Sequence, residues 1–205
     1  MNRYILLASI LVLLFGAGCS DVTAPTRDFS QEVQSLRLDS LEPGVYENEV
    51  AKLKSLADND NPIAQYRYAN ILLEREDLDG TKLYLKRGVA LGEMHSAELL
   101  GFLYIKNEDP SDDVEGFELL TEAAESGLAF TQFYLGSCFS DEECALPRNT
   151  ELSYYWLKKA YENGQTGAKF LLEEVSGQVP DKAVAMQRYD ENVKKVICEI
   201  DSSKC

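Results

Sequence analysis

Small residues recur along this chain at intervals that suit a row of stacked helical hairpins. Ala64, Ser96, Thr131 and Ala168 stand 32, 35 and 37 residues apart, and five positions after each come Ala69, Gly101, Gly136 and Glu173. The residue just before those is apolar in every copy: Tyr68, Leu100, Leu135 and Leu172. Gly92, Gly127 and Gly164 each lie four residues before the next opening, and eleven residues before them sit Thr81, Gly116 and Ser153. At those positions only a small side chain lets two helices approach closely. Tyr84, Leu119 and Trp156 fill a large apolar position in between. The stretch from Ser96 to Gly127 shows one unit whole. Leu100, Leu103 and Tyr104 recur at helical spacing in its first half, as do Phe117, Leu120, Ala123 and Ala124 in its second. Asp112 and Asp113 are placed to cap the second helix, and Gly127 to end it in a left-handed turn. Two such helices cannot bury both apolar faces on each other, so the unit needs copies of itself.

The segments T-Q-F-Y-L-G (131–136), D-V-E-G (113–116), L-L-T-E-A-A-E-S-G (119–127) and Y-W-L-K-K-A-Y-E-N-G (155–164) resemble the Sel-1-like repeat family, a relative of the tetratricopeptide repeats. The resemblance covers about residues 61–176 and implies an all-α fold, an α/α solenoid of helix pairs. Its units fall at 61–92, 93–127 and 128–164, with a partial copy at 165–176. A half-repeat at 45–60 precedes them: a helix from near Tyr46 to Asp58 is like a second helix whose first is missing. The first full copy departs from the pattern, with Ala69 for the usual glycine and G-V-A for the usual double alanine. The third has a longer inter-helix loop, 139–150, containing Cys144 and Pro147. Beyond Gly177, residues 177–205 are expected to form a C-terminal capping helix and tail. That helix would start at Pro180 and Asp181, with a stripe of Val184, Tyr189, Val193, Val196, Ile197 and Ile200.

Residues 1–18 read as an export signal: Arg3, then an apolar run from Ile5 to Phe15, then Gly16, Ala17 and Gly18. The run is shorter than the roughly 20 residues that a membrane span needs. G-A-G-C resembles the lipobox of bacterial lipoproteins, which implies that Cys19 becomes an acylated first residue. Ordinary signal-peptidase cleavage near the same place is the alternative. Acyl chains at about 0.8 kcal/mol per buried methylene would anchor the chain durably. Ser20 after the cysteine, by similarity to enterobacterial sorting, implies the outer membrane, facing the periplasm. Residues 19–44 are polar, with Pro25 and Pro43, and read as a flexible tether with a helical turn around Val33 to Leu38.

Without residues 1–18 the chain keeps 19 basic and 35 acidic residues, a net charge of −16. Such a surface repels nucleic acid and anionic headgroups, so the membrane would be met through the lipid alone. With Cys19 acylated, four cysteines remain. They allow three connectivities, and their spacing suggests the local pairs Cys138–Cys144 and Cys198–Cys205, which suit an oxidising compartment. Each short loop closed would stabilise by roughly 2–3 kcal/mol.

No hydrolase, zincin or phosphate-loop motif occurs, so no catalytic residue is assigned. His95 is the sole histidine, and no C-x-x-C exists, so no metal site is expected and no cofactor beyond a lipid on Cys19. Helical solenoids offer a concave surface lined by their first helices. By resemblance to tetratricopeptide geometry, the residues facing it are Tyr66, Arg67 and Asn70, then His95, Glu98, Leu99 and Phe102, then Phe130, Phe133, Tyr134 and Ser137. Tyr66 and Phe133 share an aromatic repeat position that either binds or only packs, while Glu98 puts a charge there. The expectation is a monomeric, non-catalytic adaptor in the bacterial envelope that binds a partner protein or peptide in this groove. The alternatives are an immunity lipoprotein against a periplasm-delivered toxin such as a phospholipase effector and, last, a hydrolase.

Overall fold

A computed structural model describes residues 27–39, 42, 44–106, 110–142 and 144–205. Cys19, the signal over 1–18 and the first part of the tether lie outside these residues. The helices are α1 (Phe29–Gln34), α2 (Val45–Asp58), α3 (Pro62–Glu74), α4 (Leu78–Ala90), α5 (Met94–Ile105), α6 (Asp113–Glu125), α7 (Ala129–Cys138), α8 (Thr150–Glu162), α9 (Ala168–Ser176), α10 (Lys182–Gln187) and α11 (Tyr189–Ile200). No strand occurs among the described residues.

Local chemistry sets the helix ends. Asn61 caps α3 by accepting the Ala64 N–H at 2.9 Å, and Asp77 caps α4 by accepting that of Gly80 at 2.9 Å. Asn149 caps α8 through Leu152 N–H at 3.0 Å, and Glu93 accepts the Ser96 N–H at the start of α5. Asp112 holds the N-cap position of α6, after one turn of 3₁₀ helix over Pro110–Asp112, but its side chain makes no capping hydrogen bond, and Asp113 is the first helical residue rather than a cap. Gly92, Gly127 and Gly164 follow α4, α6 and α8 with φ of +76°, +103° and +91°, the left-handed stop expected of them. The half-repeat ends the same way without a glycine: Asp60, four residues before Ala64, has φ +58°.

The hairpins α3–α4, α5–α6 and α7–α8 close at the small residues that mark the repeat. The Thr81 hydroxyl reaches the Ala69 carbonyl at 3.4 Å, and the Ser153 hydroxyl donates to the Gly136 carbonyl at 2.7 Å. In the middle hairpin two glycines meet: a Cβ on Gly101 would lie 3.0 Å from the Gly116 carbonyl oxygen. Ala64, Ser96, Thr131 and Ala168 are all fully buried, each at the start of a first helix. Gly88 stands where the later copies have Ala123 and Ala160, and a Cβ there would come within 2.3 Å of the Ser96 hydroxyl. The core follows the chain in three successive clusters, built around Leu53, Leu85 and Leu100, then Phe117, Leu135 and Trp156, then Leu157, Ala168 and Val175. That is the order expected of a solenoid, whose units touch only their neighbours.

Both ends depart from the sequence expectation. Residues 27–38, read as tether, form α1 and a turn, and α1 packs on α2 and α3. Val33 is 1% exposed, Arg27 donates to the Asn59 carbonyl at 2.8 Å, and Asn61 donates to the Phe29 carbonyl at 3.1 Å. The helix also begins earlier than the expected Val33–Leu38 turn, because Asp28 caps it through the Gln31 N–H. At the other end, one expected capping helix is two. Arg188 leaves helical geometry between α10 and α11, which lets Ala185 and Val196 bury in different clusters. Val184, placed in the apolar stripe, is 39% exposed, and Ala185 with Met186 packs instead. Cys138 is joined to Cys144 and Cys198 to Cys205, with Cα separations of 5.2 and 5.3 Å.

Candidate functional site

The first helices α3, α5, α7 and α9 lie in a row, and the predicted groove residues mark the joints between them. Tyr66 on α3 holds its ring against His95 at the start of α5, 5.5 Å between centroids. His95 is half exposed and faces Glu98, Nδ1 to Oε2 at 3.5 Å. Glu98 also accepts the hydroxyl of Thr131, the buried opening residue of α7. The charge at this otherwise aromatic position therefore serves as a polar link from one repeat to the next.

Further along the row Phe102 stands edge-on to Tyr134 at 4.7 Å and to Phe130 at 6.1 Å. The edge-to-face geometry is the one aromatic quadrupoles favour. Phe102 and Tyr134 are half-buried, and burial raises the Tyr134 phenol above its ordinary pKa. Phe130 is 56% exposed and forms the open edge of this patch. Leu99 is half-buried against the first core cluster.

Three predicted residues serve the fold. Phe133 packs into the third core cluster, the Ser137 hydroxyl donates to the Phe133 carbonyl at 2.8 Å, and the Asn70 amide donates to the Tyr66 carbonyl at 2.9 Å. Asn70 nevertheless lines a cleft of about 380 Å³ with Tyr66, Arg67, Ile71, Leu38 and Tyr46. Leu38 and Tyr46 carry no groove signal in the sequence, where the segment that holds them reads as tether and half-repeat. A second cleft of about 290 Å³ lies at the α7–α9 joint, lined by Ser137, Ser140, Asp141, Arg148, Leu171 and Glu174. The row thus runs from an aromatic and aliphatic cleft, past an exposed aromatic patch, to a polar one. Such a surface can hold an extended chain by apolar contact and hydrogen bonding. Among the described residues no group of three His, Cys, Asp or Glu side chains is placed to hold a metal ion.

Helix pairs closed by small residues and stacked in register define an α/α repeat solenoid. The Sel1 repeat model matches residues 95–128 and 129–165, so the second and third copies are Sel1 repeats. It is similar in structure to the Sel1 repeat protein from Oxalobacter formigenes, with a TM-score of 0.52 and 24% identity over 62% of this chain and 98% of that one. It is also similar to c5321, a protective antigen present in uropathogenic Escherichia coli strains that displays an SLR fold. There the TM-score is 0.61 and the identity 17%, over 84% of this chain and 39% of the other. At these identities the likeness shows the fold. No curated protein sequence matches the chain.

Proposed function

We propose that this protein is a non-catalytic interaction scaffold that holds an extended segment of a partner protein along its first-helix row, while anchored to the bacterial envelope by lipid on Cys19. The observation that carries the reading is the aromatic surface. Phe130 is 56% exposed on a half-buried Phe102–Tyr134 pair, and Tyr46 and Tyr66 wall the neighbouring cleft. Aromatic side chains give large contact area at small conformational cost, which is why they concentrate at binding surfaces. Export is supported by the leader-like start and by the two local disulfides, which an oxidising compartment maintains. The −16 charge favours a partner with a basic surface. Mass spectrometry of the mature N-terminus tests the anchor: an acylated Cys19 supports it and an unmodified first residue removes it. Crosslinking in envelope fractions, comparing the natural chain with Phe130→Glu, tests the surface.

A further inference from the structure

The second residue after each opening residue is where one repeat meets the next. Tyr66 packs on His95, Glu98 accepts the Thr131 hydroxyl, and Phe133, partly buried, packs against the cluster that contains Ala168. Phe170 holds the same position on α9 and is 73% exposed. The first helix that would cover it does not follow. After Val179 the chain turns back, and α10 and α11 pack on α8, with α11 also reaching α6. The exposed side chains of α9 are therefore Lys169, Phe170, Glu173 and Glu174, with Thr166 ahead of them and Gly177 at the end. Glu174 lines the cleft at the α7–α9 joint, which leaves Lys169 and Glu173 on the other flank of Phe170.

The charges on this face say what fits it. Lys169 and Glu173 flank Phe170 one turn apart, 3.9 Å from each other, with side chains 64% and 68% exposed. A twofold contact places the same patch on both sides, so that residue i meets residue j and j meets i. Two antiparallel copies of α9 would set Lys169 of each against Glu173 of the other. The two Phe170 rings would then bury each other beside the axis. The small Thr166 and Gly177 leave the two helices room to close. We infer that α9 is a self-association face through which two copies of this chain form an end-to-end twofold dimer. Each copy carries a net charge of −15, so the attraction is local to this face rather than long-range. One helix pair is at the small end of interface sizes, so the dimer is weak and concentration-dependent. Its consequence is to join two first-helix rows into one particle that presents the groove twice.

Sedimentation velocity of the full chain, carrying Cys19→Ala to keep lipid out of the measurement, tests this. With rising concentration the mass should move from one copy toward two. Phe170→Glu should weaken association by about tenfold or more, with an unchanged circular dichroism spectrum and melting temperature, because the position is exposed. Lys169→Glu and Glu173→Lys should each weaken it, and mixing these two variants should restore a dimer containing one of each. A chain that stays monomeric at every concentration overturns the inference. So does a dimer indifferent to Phe170→Glu, or charge variants that fail to recover on mixing.

Discussion

Asn163 donates its side-chain amide to Oε1 of the buried Gln132 at 2.9 Å, while Nε2 of Gln132 donates to the Ala124 carbonyl at 2.7 Å. Gln65 is the equivalent residue of the first full copy and bonds the Ala57 carbonyl at 3.0 Å, but its Oε1 is buried without a partner. The difference is Leu91, which stands just before Gly92 as Asn163 stands just before Gly164. Leu91 is 48% exposed, so little packing depends on it. Leu91→Asn should supply the missing donor and raise stability by roughly 0.5–1.5 kcal/mol. Urea denaturation would show this as a higher midpoint at unchanged slope.

Gly101 and Gly167 should respond in opposite ways to alanine. A methyl at Gly101 meets Leu120 at 2.8 Å and the Gly116 carbonyl at 3.0 Å, whereas nothing lies within 4 Å of one at Gly167. Gly101→Ala must therefore spread the α5–α6 hairpin and should cost about 1–3 kcal/mol. Gly167 has an ordinary helical φ of −61°, and Gly167→Ala should gain up to about 1 kcal/mol by restricting the unfolded chain. Paired thermal melts decide both signs.

Asp58 gives the fold an acid-sensitive joint. Its carboxylate meets Lys54 at 2.6 Å, accepts the Tyr84 hydroxyl at 2.6 Å and lies 3.6 Å from Arg87. The Lys54 hydrogen bond first, and the Tyr84 one second, hold its pKa below the ordinary aspartate value. A depressed native pKa means that the contribution is present above the unfolded value of about 4 and lost as pH falls through the native one. The side chain is 43% exposed, which keeps the effect small through solvent screening. The natural chain should melt above Asp58→Asn at neutral pH, and the two curves should converge at acid pH. A gap that persists or widens in acid contradicts the assignment.

The Cys138–Cys144 bridge fastens the third copy's long loop to the end of α7, beside the buried Phe139 and Leu146. Replacing both cysteines with serine should cost roughly 2–3 kcal/mol. Cys198–Cys205 ties only the end of α11, and its loss should matter less. Calorimetry of the two double variants ranks them.

The hairpins were legible because backbone contact dictates residue size: where Gly101 meets Gly116, or Ser153 meets Gly136, few side chains fit. The termini were not. Placement of α1 rests on contacts to residues far along the chain, such as Arg27 to Asn59, which no local pattern announces. The break at Arg188 involves neither glycine nor proline. In the site, Phe102, Phe130 and Tyr134 do come together, since helical spacing puts them on facing turns. Phe133 belongs to the core instead, and Ser137 turns its hydroxyl onto its own helix, a choice that residue type alone leaves open.

The first-helix row is proposed as the working surface of this protein. It is tested most directly by crosslinking in intact envelopes with three chains: the natural one, Phe130→Glu on that row, and Leu83→Glu at a position on α4 that is 58% exposed. Phe130→Glu should lose the crosslinked partner while Leu83→Glu keeps it, with all three equally folded. Equal recovery by all three, or loss confined to Leu83→Glu, would contradict it.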